Sequence, residues 1–256
     1  MSTRYKILLS LAVILLVLFG SGFATYEVLH SRNQARPEAV AALQSDSEVT
    51  VSRADGQDWY VFAPADASPT TGLILYPGGF VDPVAYAPIA RAIAQQGYLV
   101  VLDPMPLDLA VTNIRAADAI IAAYPEIDVW AIGGHSLGGA MAAEYVNNNP
   151  GAVAGLALWA AYPAEKTDLS AQPITVVSVY GDADGVASSE QVLGAAARLP
   201  AGATFVAIPG GNHTQFGFYG ERLQRGDNPA GIGRDGQRAA IVAATVQMLQ
   251  AITSPR

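Results

Sequence analysis

The sequence has no cysteine among its 256 residues. That removes disulfides, thiolate metal sites, a cysteine nucleophile and a lipid-modified cysteine anchor at once. Positive charge is scarce as well: 14 Lys+Arg stand against 22 Asp+Glu, a net charge of −8. Binding to a phosphate backbone needs clustered cations, so a nucleic-acid partner is excluded. Charge of either sign makes up only 14% of the chain, against 51% hydrophobic residues. Such a chain has ample apolar surface to bury and is not disordered. Internal repeats, low-complexity tracts and clusters of metal ligands are also missing. What remains is a length suited to one large α/β domain, or at most two small ones.

One long apolar run is present. Arg4 and Lys6 precede Ile7–Phe19, and no charge appears until Glu27. The twenty uncharged residues Ile7–Tyr26 would span about 30 Å as a helix, enough to cross a bilayer. Two readings stand: an uncleaved anchor, or a secretory signal cut after Ala24 in the small-x-small triplet Gly22-Phe23-Ala24. Both export the body, although Arg32 and Arg36 beyond the run partly balance Arg4 and Lys6. The expected organisation is therefore a targeting or anchor segment (1–29), a flexible polar linker (30–47) and a folded domain (48–256).

From Glu48 onward, short apolar runs alternate with alanine-rich stretches. Glu48–Arg53 and Trp59–Ala63 flank the turn signal Ala54-Asp55-Gly56-Gln57 and are predicted to pair as a hairpin. Further strands are predicted at Gly72–Tyr76, Tyr98–Leu102, Val129–Gly133, Val153–Ala160, Ile174–Tyr180 and Thr204–Ile208. Helices are predicted at Tyr86–Gln96, Thr112–Tyr124, Ser136–Asn147, Ser188–Arg198 and Gln237–Ile252. Alternation of this kind, with continuously apolar strands, gives a mostly parallel sheet of about eight strands with helices on both faces.

The chemistry-bearing pattern is Gly134-x-Ser136-x-Gly138, between a predicted strand and helix. A serine on such a sharp turn is held in a strained backbone with its hydroxyl out of the sheet. A hydroxyl is a poor nucleophile and needs a base. Of the three histidines, His30 adjoins the apolar run and His135 sits inside the turn, pointing away from its neighbour's hydroxyl. His213 follows the last strand, at the carboxyl edge where open α/β sheets place their sites. The base needs an orienting carboxylate. Asp184, after strand Ile174–Tyr180, is the first choice, Asp182 lies close to it, and Glu165 and Asp168 are outside candidates. An oxyanion hole would take one N–H from Leu137 and a second from the loop after Gly72–Tyr76, with Gly79 first and Phe80 second.

These motifs, Leu75–Val81, Gly133–Gly139, Gly181–Asp184 and Gly211–His213, stand in the order of the α/β-hydrolase superfamily, which the chain resembles from about Glu48 to its C-terminus. It is most similar to the compact branch that includes dienelactone-hydrolase-like and cutinase-like enzymes. Two departures stand out: Pro77-Gly78 replaces the usual His-Gly of the oxyanion loop, and Ser136 replaces the cysteine of the dienelactone enzymes. The resemblance implies a serine hydrolase acting on small-molecule carboxylic esters, with an acyltransferase or a silent binding module as alternatives. Activity is expected to fall below roughly pH 6, because the base must be neutral. The dozen residues Tyr162–Pro173 are too few for a lid domain, so an open site is expected. The loop Gly220–Gly236 is expected to screen it in part. Phe216, Phe218 and Tyr219 are expected to anchor that loop to the core rather than line a substrate pocket. No metal and no cofactor is expected. Gly231-Ile-Gly-Arg-Asp-Gly236 matches a dinucleotide fingerprint, but it follows a polar loop instead of a strand and reads as a flexible loop.

Overall fold

Period-two alternation in the apolar runs explains the architecture. The computed structural model describes residues 26–220 and 223–253. Its eight strands are β1 (Val49–Arg53), β2 (Tyr60–Pro64), β3 (Thr71–Tyr76), β4 (Leu99–Leu102), β5 (Val129–His135), β6 (Gly155–Trp159), β7 (Thr175–Gly181) and β8 (Thr204–Ile208). They form one sheet in the order β1-β2-β4-β3-β5-β6-β7-β8. The β1–β2 and β2–β4 pairs are antiparallel, and every pair from β4 to β8 is parallel.

Adjacent strand residues point to opposite faces. Leu73, Leu75, Ala157 and Trp159 therefore enter one core together with Ile89 and Ile93 of α2 (Ala87–Ala94) and Ile241 and Leu249 of α6 (Arg234–Thr253). Ile74, Tyr76, Leu156 and Leu158 enter the other, with Ile120 of α3 (Ala116–Ala123) and Tyr145 of α4 (Leu137–Asn148). Two further helices are short, α1 (Pro37–Ala41) and α5 (Ser189–Gly194). Ser188 and Gln191 form a reciprocal capping box that starts α5.

Four expectations differ from the structure. The helix expected at Thr112–Tyr124 begins only at Ala116, because Asn113 leaves the helical region after a separate 3₁₀ turn, Ala110–Thr112. The stretch 188–198 breaks into α5 and a 3₁₀ turn, Ala196–Arg198. Helix α6 begins at Arg234, three residues earlier than expected, so the end of the Gly-x-Gly-x-x-Gly match lies inside a helix. The largest difference is at 30–47, which is packed and not a free linker. Ala39 is fully buried against Val84 and Phe218. The Arg36 N–H donates to Phe218 O at 2.8 Å, the Gly220 N–H to Gln34 O at 3.0 Å, and Ala35 bridges Tyr219. Residues 26–32 are helical and continue into this strap. The apolar run Ile7–Tyr26 lies, except for Tyr26, outside the described residues. Among those described, no helix is long and apolar enough to cross a membrane.

The core also holds a carboxyl at the end of β4. Asp103 is only 6% exposed, and burial raises its pKa from 3.8 to about 6, opposed by a hydrogen bond from Trp59. In the unfolded chain the group ionises near its ordinary value, so the folded state binds its proton more tightly. Stability is then lost as pH rises from about 4 to about 6. Asp103→Asn is expected to be more stable than the parent by about 2–3 kcal/mol above that window. The two should converge below pH ~4; thermal denaturation across pH checks this, and a constant difference would refute it.

Candidate active site

Strand β5 ends in His135, and the chain turns into α4 through Ser136, whose φ of 52° and ψ of −120° lie outside the regions open to ordinary residues. Such a backbone costs of order 1–3 kcal/mol and persists only when its surroundings over-determine it. Here the Ser136 N–H donates to Trp159 O at 2.9 Å, and Ser136 O accepts from Ala140 N at 3.1 Å. Gly138 lies so close beneath β3 that a Cβ there would run into the carbonyl oxygens of Tyr76 and Pro77. The turn thus sits directly on the neighbouring strand, with Ser136 partly exposed at the carboxyl edge of the sheet.

Asp184 and His213 come from the ends of β7 and β8, and the structure brings them together. Asp184 Oδ2 lies 2.8 Å from His213 Nδ1, with both side chains fully buried. Asp184 Oδ1 accepts the N–H groups of Val186 and Ala187, both at 2.7 Å, so each carboxylate oxygen has its own task. The other acidic candidates lie elsewhere: Asp182 Oδ1 accepts from Gly210 N at 2.6 Å, while Glu165 and Asp168 are exposed. His213 Nε2 is buried and makes no hydrogen bond, so none joins it to Ser136 Oγ. Such bonds are commonly long without substrate and tighten in the reacting complex.

Sequence reasoning missed two residues that hold His213. Asp227, in the polar loop before α6, accepts from the N–H groups of His213 (3.2 Å), Thr214 (2.8 Å) and Gly185 (3.2 Å), and from Thr214 Oγ1 (2.6 Å). It ties the His213 loop to the Asp184 loop, and only its turn setting, Gly226-Asp-Asn-Pro229, hinted at a structural role. His135 is the second. Its ring lies 4.5 Å from that of His213 and stacks on Phe216 at 5.6 Å. Tyr86 Oη lies 2.8 Å from His135 Nδ1. Burial, and then the charge on His213, holds the His135 pKa well below the ordinary imidazole value, so this ring stays neutral. Phe216, Phe218 and Tyr219 are all buried in the core, as expected.

The loop after β3 carries the remaining groups. The Gly78 N–H donates to Tyr86 Oη at 2.9 Å and the Phe80 N–H to Asp108 O at 2.8 Å. The N–H of Gly79, between them, has no acceptor among the described residues, and neither has that of Leu137, the first residue of α4. The two residues are neighbours: a Cβ on Gly79 would lie 3.2 Å from Leu137 Cδ2. Of the two loop residues expected to serve, Phe80 has its N–H already committed and Gly79 does not.

A strained serine after a central parallel strand, with a carboxylate–imidazole pair from the next strand ends, defines a nucleophile-elbow α/β protein. A family model described as "Alpha/beta hydrolase family" matches residues 72–239. The chain belongs to that family and is a hydrolase by descent. A search among curated proteins found no match.

Proposed function

We propose that the chain is a serine hydrolase that cleaves small-molecule carboxylic esters through an acyl-enzyme. The observation that carries this reading is the buried Asp184–His213 pair on the same sheet edge as the strained Ser136. In the first half-reaction Ser136 Oγ attacks the ester carbon while His213 Nε2 takes its proton. Asp184 Oδ2 keeps the second imidazole proton on Nδ1 and stabilises the imidazolium that forms. The N–H groups of Gly79 and Leu137 meet the negative charge on the carbonyl oxygen, which develops only in the transition state. The alkoxide then leaves with the proton from Nε2. In the second half-reaction His213 deprotonates a water, the acyl bond breaks, and the acid is released with Ser136 restored. We further propose that the domain is exported and held at the membrane by its N-terminal segment.

The test is a panel of p-nitrophenyl esters of varied acyl length on the full chain, with Ser136→Ala beside it. The parent should turn over and be labelled on Ser136 by a fluorophosphonate, whereas the variant loses about 10⁴-fold or more. Because His135 stays neutral, the acid side of the pH–rate profile should show a single ionisation. Equal rates in parent and variant, or labelling elsewhere, would remove the proposal.

A further inference from the structure

We infer that the mouth of the site faces a lipid bilayer and that its esters are drawn from it, a step that rests on the serine-esterase reading above. The uncharged stretch Ile7–Tyr26 ends at the candidate oxyanion loop. Tyr26 begins the described helix at 26–32. Its ring lies 6.4 Å from that of Phe80, and its hydroxyl is 3.4 Å from Asp108 Oδ2. His30 Nδ1 lies 2.5 Å from the same oxygen. The Asp108 carbonyl in turn holds the Phe80 N–H, next to the free N–H of Gly79. Tyrosine favours the membrane–water boundary, so its position here sets that boundary beside the site. The strap fixes the distance further, because Asn33 and Ala35 bond Asp82 just beyond the loop.

The same rim carries apolar side chains open to solvent. Six large hydrophobic residues are exposed among those described, and Val28, Leu107, Val111 and Leu223 are four of them. Val28 is on the helix that touches Asp108, Leu107 precedes Asp108, Val111 follows within one turn, and Leu223 adjoins Gln224, whose N–H donates to Thr214 Oγ1 beside His213. Leu107 is 61% exposed on a backbone at φ 56°, followed by Asp108 at φ 52°. This conformation is unfavourable for both residues. Strain that presents an apolar side chain to water is explained if the side chain enters lipid instead.

The interior points the same way. Phe216 and Tyr219, which pack around the His135 ring beside His213, are 0% and 1% exposed, so they offer no lining for an acyl chain. The interval Tyr162–Pro173 supplies no lid. A long-chain ester whose apolar part stays in the bilayer while its carbonyl reaches Ser136 needs neither. The substrate class is therefore a lipid ester such as a diacylglycerol.

The absence of cysteine permits a direct test on full-length protein in phosphatidylcholine vesicles. Single substitutions Leu107→Cys, Val111→Cys and Glu126→Cys would carry an environment-sensitive dye, Glu126 lying at the opposite, amino edge of the sheet. Brominated lipids should quench the dye at 107 and 111 and leave it unchanged at 126. Equal quenching at all three, or a mature chain that starts after Ala24 and leaves the vesicles, would overturn the inference. A rim covered by a second copy or another protein would show no quenching and would overturn it too. In the rate arm, Leu107→Asp with Val111→Asp should lower the ratio of diacylglycerol to soluble p-nitrophenyl acetate turnover about tenfold, and an unchanged ratio would count against it. Fluorophosphonate labelling separates the two claims. A labelled Ser136 with dyes in water ends the inference and leaves the esterase reading intact. An unlabelled Ser136 with quenched dyes ends the esterase reading and the lipid substrate with it.

Discussion

Asp184→Asn is expected to hydrolyse esters about 10⁴-fold more slowly than the parent, with the loss in kcat. The reason lies in the division of labour within this carboxylate. Oδ1 is held by the N–H groups of Val186 and Ala187, and an asparagine would place its carbonyl oxygen there to keep both bonds. The amide NH₂ must then take the place of Oδ2 and present hydrogens to His213 Nδ1, 2.8 Å away in the parent. Nδ1 can no longer carry a proton, so the neutral ring is forced to hold it on Nε2. That nitrogen can then no longer accept a proton from Ser136. The fold should hardly notice, since the backbone bonds survive. Stopped-assay rates beside a thermal melt would separate the two effects. A loss below about tenfold would mean that Asp184 does not orient the base.

Gly138→Ala should have the largest effect on stability. In an ordinary helix this change gains up to about 1 kcal/mol. At Gly138 the new Cβ would meet the Tyr76 and Pro77 carbonyl oxygens, backbone atoms at the end of β3 and just beyond it that cannot move aside alone. A loss above about 4 kcal/mol is expected, enough to lower the melting temperature by roughly 10 °C or more. Gly194, at the end of α5, is the control, because a Cβ there meets nothing within 4 Å. Gly194→Ala should be neutral or stabilising by about 0.4–1 kcal/mol. Similar melting temperatures for the two variants would show that the turn relaxes more easily than its packing implies.

These contrasts also explain what could be read from the sequence. Runs such as Gly72–Tyr76 and Val129–Gly133 are bounded by glycine and proline and buried on both faces, so their strands were legible. So was the turn at Ser136, whose close approach to β3 requires glycines at fixed spacing. The strap at 30–47 was not legible. Its docking rests on backbone N–H and C=O groups, as in Arg36 to Phe218 and Gly220 to Gln34, and on Ala39 with the partly buried Ala35, Ala42 and Leu43. The apolar run Ala39–Leu43 is only five residues long, too short to tell a docked strap from a linker. Asp227 was hidden for a related reason, since an acidic residue in a glycine–proline turn looks the same whether or not it braces a distant loop. The site of His135 beside His213 depends on where two strand ends meet, which no local signal encodes.

The strap has a practical consequence for anyone preparing a shortened protein. A version starting at Glu48 keeps every strand and all of Ser136, Asp184 and His213, and would look complete by alignment. It would nonetheless uncover Val84 and Phe218, which Ala39 covers, and remove the groups that meet Oδ2 of Asp82 and of Asp108. Recombinant fragments should therefore begin at or before Tyr26 if they are to keep the contacts that Tyr26 and His30 make with Asp108.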